Sequence, residues 1–348
     1  RRLLIERESE LAAALNADLG KSLFEAVNTE TGFVLKEVDY ALRHLQRWMR
    51  GHRARTPMMV WPGSSRVQPV PKGVVLIIGA WNYPVELLGS PLVAALAAGN
   101  AIVLKPSEVA ASTSAALATL LPQYLDNEAV TVVEGDADVT TRLLEQRFDH
   151  ILYTGNERVG RIVMSAAARH LTPVTLELGG KSPCIVSADA DIDVAAARIA
   201  WAKFLNAGQT CIAPDYVLVE ESARQPLLAA LRERLLKSYG EDPSRSADYG
   251  RIVNARHLAR LQASLTGLKI HVGGQIDPGS RYLAPTIVVD PPLDSALMQE
   301  EIFGPILPVL SVKDAAQAIA FVRERPAPLA LYAFTRDRAL QRQESEDL

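Results

Sequence analysis

The sequence predicts an α/β protein with two parallel-sheet halves. Three observations carry that expectation. Short apolar runs of strand length alternate with helical stretches; the helical stretches stop at Gly or Pro; and the alternation restarts after Gly179-Gly180. Buried strands alternating with helices imply βαβ units, with a parallel sheet covered on both faces. A chain of 348 residues has room for two or three domains.

The elements follow in order. Residues 3–19 read as a helix stopped at Gly20. Residues 24–50 carry Phe33, Val34, Val38, Ala41, Leu42, Leu45 and Trp48 at helical spacing, which predicts one buried stripe before Gly51. Residues 52–71 break the pattern: Pro57, Pro62, Pro69 and Pro71 separate short apolar pieces, as in a small excursion with edge strands. Then come a strand at 74–78, a short helix at 91–98 ended by Gly99, and a strand at 101–104. A helix at 112–121, strands at 130–133 and 150–153, a helix at 158–169 and an apolar strand from 174 complete the first half. In the second half, strands at 184–186, 216–219, 284–289, 306–311 and 330–334 alternate with helices at 192–205, 225–238 and 315–323. The tail, 335–348, is polar and helix-like.

Composition narrows the function. A net charge of -3 gives no electrostatic case for nucleic acid or an anionic membrane. The 2 cysteines, Cys184 and Cys211, cannot make a disulfide framework, which fits a reducing, cytoplasmic setting. No apolar run approaches the ~20 residues of a membrane span. The six histidines show no metal-site spacing. The chain opens on Arg1-Arg2 without Met and with no apolar leader, and reads as the start of a fragment.

Several stretches carry chemistry. Asn206-Ala-Gly-Gln-Thr-Cys211 places a cysteine in a polar, Gly-containing loop after a helix; a mobile turn there could present a nucleophilic thiolate, whereas most lone cysteines are core filler. Glu177 ends an apolar strand just before two glycines, where desolvation would tune it as a base; an edge-strand Glu facing water is the plainer alternative. Asn82 sits where a buried strand breaks. It could cap the next helix, or aim its amide at an oxyanion, a contact worth about 2.7–4 kcal/mol. Lys105 and Glu108 follow the next strand, placed either to grip ribose hydroxyls or simply to be solvated. Gly155 and Gly160 open a helix where N–H groups could meet a pyrophosphate, or they serve a turn and tight packing. No GxGxxG occurs. In Glu300-Glu-Ile-Phe-Gly-Pro305, Glu301 and Phe303 touch a ligand or belong to an ordinary loop.

Taken together, Trp-Asn82-Tyr-Pro, Leu-Lys105-Pro-Ser-Glu108, Tyr-Thr-Gly155-Asn-Glu-Arg-Val-Gly160, Thr-Leu-Glu177-Leu-Gly-Gly-Lys-Ser-Pro, Gly-Gln-Thr-Cys211 and Glu301-Ile-Phe303-Gly-Pro resemble the motifs of aldehyde dehydrogenases in order and spacing. The resemblance covers nearly the whole chain. Phe148-Asp-His-Ile-Leu-Tyr-Thr-Gly155, Arg169 before His170-Leu-Thr-Pro-Val, and Cys211-Ile-Ala-Pro-Asp-Tyr216 make it most similar to the class 3 type, the fatty, aromatic and coniferyl aldehyde dehydrogenases.

The resemblance implies a Rossmann-like NAD(P)-binding domain at 1–178, with 52–71 as an oligomerisation hairpin, and a catalytic domain at 179–348 in a homodimer. It implies oxidation of aliphatic or aromatic aldehydes to acids with NAD or NADP. Cys211 would attack the aldehyde, Asn82 and the Cys211 N–H would hold the oxyanion, and Glu177 would hydrolyse the thioester. Lys105 and Glu108 would hold the adenosine ribose, Gly155 and Gly160 would border the cofactor, and Glu301 with Phe303 would position the nicotinamide ribose. Glu108 favours a free 2′-hydroxyl, while Lys105 could accept a 2′-phosphate. The family's Gly-Gly-Val strand and Pro-Phe-Gly-Gly segment are missing, so the chain is expected to be C-terminally incomplete; a membrane-anchoring tail, where relatives have one, would lie in that part. A CoA-acylating enzyme is disfavoured by Glu177, since thiolysis needs no water-activating base. A non-catalytic NAD-binding fragment is disfavoured by intact Cys211, Glu177 and Asn82.

Overall fold

The structure, a computed structural model, describes residues 1–338 and Leu340. The chain divides into two units: one holds residues 1–18 and 23–177, the other 19–22 and 178 onward.

The first unit begins with helices α1 (Arg2–Glu6) and α2 (Glu8–Leu19), then α3 (Leu23–Ala26), a π-helical turn (Val27–Thr31) and α4 (Gly32–Trp48). A two-stranded antiparallel ribbon, β1 (His52–Ala54) with β2 (Ser65–Val67), follows. The rest alternates as β3 (Val74–Ile78), α5 (Glu86–Ala97), β4 (Ala101–Lys105), α6 (Ala111–Leu120), β5 (Val130–Val132), α7 (Ala137–Leu144), β6 (His150–Thr154), α8 (Glu157–Ala168) and β7 (Val174–Glu177). The five strands form one parallel sheet in the order β5-β4-β3-β6-β7. Chain direction across the sheet reverses at β3 and β6, and in such sheets ligands bind at the carboxyl ends of the strands beside the reversal. Leu76, Ile77, Ile102 and Leu104 fill the sheet core, and Leu11 and Leu15 of α2 are fully buried.

The second unit carries β8 (Pro183–Val186), α9 (Ile192–Phe204), β9 (Tyr216–Glu220), α10 (Glu221–Tyr239), α11 (Ala255–Ser264), β10 (Ile270–Val272), a short pair β11 (Ile276–Asp277) and β12 (Tyr282–Leu283), β13 (Thr286–Val289), α12 (Ala296–Gln299), β14 (Ile306–Val312), α13 (Ala315–Arg323) and β15 (Tyr332–Phe334). Its six-stranded sheet runs β10-β13-β14-β9-β8-β15, parallel except for the antiparallel edge strand β10. Near-continuous burial along β8, β9, β13 and β14 matches a sheet covered on both faces.

The α/β class with two parallel sheets is as expected. Several local readings are corrected. The first helix breaks at Arg7, and the stretch from 24 contains the π turn. The stripe on α4 is only half buried: Val34 and Ala41 are inside, whereas Phe33, Leu42 and Trp48 are exposed. Helix α5 starts at Glu86, well before the expected 91, because Pro91 lies within the helix rather than at its start. Helices α7 and α11 were not anticipated; both are short and polar, and each is nucleated by an Asx cap, Asp136 or Asn254. The helix-like tail lies largely outside the described residues. Among the described residues no helix is long and apolar enough to cross a membrane.

Candidate active site

In the first unit every candidate residue lies at the carboxyl edge of the sheet. Asn82 follows β3 and is 2% exposed. Lys105 closes β4 and is buried, though a strand-end lysine is ordinarily solvated. Its Nζ donates to Pro106 O (2.7 Å) and lies 3.5 Å from Glu108 Oε2. Burial lowers its pKa, and Glu108 opposes that shift. The structure thus brings Lys105 and Glu108 together as a buried ammonium beside a half-exposed carboxylate. Gly155 follows β6 and donates its N–H to Glu177 O on the neighbouring strand (2.9 Å); a side chain at Gly155 would overlap the Tyr153 hydroxyl. Asn156 caps α8 by accepting from Val159 N, and Gly160 is buried in the first turn. Glu177, at the end of edge strand β7, is exposed. The expected desolvation is therefore absent: an edge strand has no neighbour on one side to exclude water.

In the second unit the candidates cluster instead at the amino ends of β8, β9 and β14. Helix α9 ends at Phe204, and Asn206, Ala207 and Gly208 follow with φ of 52°, 49° and 72°. Left-handed backbone costs a non-Gly residue roughly 1–2 kcal/mol, so this turn needs outside support. Gln209 supplies it: fully buried, its Nε2 donates to Asn206 O and Arg251 O (3.0 Å each) and its Oε1 accepts from Val253 N (2.9 Å). At Gly208 a Cβ would overlap Gly304 O. The turn is thus clamped, not mobile as its Gly had implied. It delivers Cys211 partly exposed, while Cys184 is buried in β8; neither is in a disulfide.

A buried ion pair ties this loop to Glu301 and Phe303. Asp215, four residues after Cys211, pairs with Lys181 and accepts from Ile302 N (3.1 Å). Lys181 Nζ also donates to Leu297 O (2.6 Å) and Glu300 O (2.8 Å). Arg260 Nη2 donates to Ile302 O (2.6 Å). Phe303 takes φ 47°, and the Glu301 carboxylate lies where a side chain on Gly179 would sit. Burial raises the Glu301 pKa to about 7, and its Oε1 has no hydrogen-bond partner among the described residues. Lys203 on α9 is fully buried with Nζ unpaired among the described residues, and burial lowers its pKa to about 8.

The sequence reading missed Lys181, Asp215, Lys203, Gln209 and Arg260. Lys203 left a faint signal, a lysine in the largely apolar helix 192–204, which also carries Asp193 and Arg198; the Lys181–Asp215 pair left none, because its members lie 34 residues apart.

The Glu301 shift has a testable sign. With a folded pKa above the unfolded one, Glu301 favours the folded state at low pH and loses that contribution as pH rises from about 4.5 to about 7. The stability difference between the native protein and Glu301→Gln should therefore move against the native protein between pH 5 and pH 8 in urea unfolding. A difference independent of pH would place the titration elsewhere.

Comparison with known proteins places the chain in a family. The aldehyde dehydrogenase family model matches residues 1–348. "Aldehyde dehydrogenase family 3 member A2" of Mus musculus is 53% identical over 340 residues, covering 98% of this chain and 70% of the relative. "Aldehyde dehydrogenase, dimeric NADP-preferring" of Canis lupus familiaris is 48% identical over 335 residues, covering 96% and 74%. The solved "Substrate bound state of Staphylococcus Aureus AldH" superposes with a TM-score of 0.97 at 43% identity, covering 100% of this chain and 76% of that one. The chain belongs to the aldehyde dehydrogenase family, and is an oxidoreductase that oxidises aldehydes with NAD or NADP.

Proposed function

We propose that the oxidation proceeds through a covalent thioester on Cys211 and that the nine residues described above are its working parts. The observation that carries this reading is the clamped left-handed turn: strained backbone held by a buried glutamine stands directly before a partly exposed thiol, as presentation of a nucleophile requires.

Cys211 Sγ adds to the aldehyde carbonyl to give a thiohemiacetal. The Asn82 amide and the Cys211 N–H stabilise the oxyanion of that adduct. A nicotinamide cofactor, when bound, would supply the acceptor for the hydride that leaves this adduct. On this chain the product is an acyl-Cys211 thioester, and Glu177 takes a proton from the water that hydrolyses it. Its exposure suits a base that must meet water. Lys105 and Glu108 fit the adenosine ribose by complementary hydrogen bonding, a donating ammonium and an accepting carboxylate 3.5 Å apart matching two vicinal hydroxyls. Gly155, Gly160 and the Asn156-capped helix start suit the pyrophosphate, and Glu301 with Phe303 the nicotinamide ribose. Accordingly we assign the first unit to cofactor binding and the second to catalysis.

Two finer assignments belong to the same proposal. The ribbon of β1 and β2 exposes Met58, Met59 and Trp61, large apolar side chains fit for a subunit contact, so we assign a homodimer through residues 52–71. Two cysteines outside any disulfide agree with a reducing, cytoplasmic setting.

Glu177→Gln tests the mechanism. A rapid burst of NADH equal to the enzyme present, followed by turnover slowed about 10²–10⁴-fold, is expected when only the base is lost. Unchanged steady turnover would remove Glu177 from the water step.

A further inference from the structure

A buried carboxylate remote in sequence from every assigned site residue holds the loop that carries Asn82. Glu30 lies in the π turn Val27–Thr31 just before α4 and is 0% exposed. Its Oε2 accepts from both Val85 N and Glu86 N, each at 2.9 Å. These are the first N–H groups of α5, whose N-cap residue, Val85, offers no capping side chain of its own. A helix start left without a partner exposes unsatisfied donors at the positive end of its dipole, so a charged oxygen there is both cap and counter-charge. The capping group thus comes from 55 residues away rather than from the adjoining sequence.

The geometry points to Glu30 as a positioning residue for Asn82. The strand-to-helix loop that contains Asn82 has two fixed ends. At one, Gly79 N donates to Lys105 O (3.1 Å), and a Cβ on Gly79 would come within 2.6 Å of Leu88 in α5. At the other, Val85 and Glu86 are pinned by Glu30, and Leu87 N donates to Tyr83 O (2.8 Å). Asn82 lies between, three residues before the first pinned N–H. Helices α4 and α5 approach closely, since a Cβ on Gly89 would sit 2.8 Å from Val34 Cγ2; the π turn therefore has a rigid base from which to aim Glu30. Without Glu30, the start of α5 and its preceding turn can relax, and an amide displaced by a fraction of an ångström gives up much of its hold on an oxyanion.

This inference rests on Asn82 being the oxyanion donor, and a double-mutant cycle keeps the two claims apart. The NADH-forming burst is measured for the native enzyme, Glu30→Gln, Glu30→Asp, Glu30→Ala, Asn82→Ala and Glu30→Ala/Asn82→Ala, with melting temperature recorded for each. Asn82→Ala should slow the burst about 10²–10³-fold. Glu30→Ala should slow it about 10–100-fold with KM for the nucleotide changed by less than about threefold, and Glu30→Gln, whose carbonyl oxygen still accepts both N–H groups, should rescue it. The double variant should be no slower than Asn82→Ala within about twofold, because the two residues act through one interaction. If Glu30→Ala does not fold, Glu30→Asp, which keeps the charge but falls short of both N–H groups, takes its place in the cycle.

Losses that simply multiply, or a native burst rate in Glu30→Ala (in Glu30→Asp where that variant takes its place), would overturn the positioning role while leaving Asn82 in place. A native burst rate in Asn82→Ala would instead remove the oxyanion assignment, and the inference with it.

Discussion

Replacing Cys211 with alanine is expected to abolish aldehyde-dependent NADH formation, by about 10⁴-fold or more, since removal of a covalent nucleophile leaves only binding and oxyanion stabilisation. The fold should be untouched. Cys211 is partly exposed and sits after the clamped turn, so the change creates no core cavity; the buried Gln209 bonds that hold the turn do not involve the thiol. Cys184 cannot take over, being fully buried within β8. Cys184→Ala should instead cost stability and leave the rate per folded molecule near native. Steady-state NADH formation with hexanal and with benzaldehyde, for both variants, checks this; comparable activity in Cys211→Ala would remove the thioester route.

Lys181→Met is expected to destabilise the second unit by about 3–5 kcal/mol, the usual cost of leaving one member of a buried ion pair unneutralised. Asp215 is 3% exposed, and without Lys181 its carboxylate keeps only the Ile302 N–H and its local contacts. The same substitution frees Leu297 O and Glu300 O, so the segment bearing Glu301 and Phe303 keeps only part of its tie to the Cys211 loop. Lys181→Met/Asp215→Asn should recover part of the loss, because the uncompensated charge is gone. Melting curves and nucleotide KM for the two variants test this jointly. A single variant that melts with the native protein would show that the pair does not hold the site together.

Much of the fold was legible because a parallel sheet writes itself as apolar runs: β3, β4, β8, β9 and β14 all fell where such runs lie. Boundaries failed where a tertiary contact decides them. Helix α5 begins at Glu86 because a side chain 56 residues away caps it, and nothing in residues 79–90 announces that. The α4 stripe misled in the opposite way, since periodicity marks which residues share a face but not whether anything covers it. At the site, motif order pointed to the residues whose chemistry is evident from their type. It could not show that Glu177 is exposed, that Glu301 is half-buried, or that Lys181 pairs with Asp215, because burial and pairing are properties of the packed chain.

The central claim is that Cys211 carries the acyl group. It is tested most directly by mixing Glu177→Gln with hexanal and NAD, quenching in acid during the burst, and locating the added hexanoyl group by peptide mass analysis. One hexanoyl adduct is expected, on the peptide containing Cys211, absent without NAD. NADH formed with no adduct on that peptide, or with the adduct on Cys184, would contradict it.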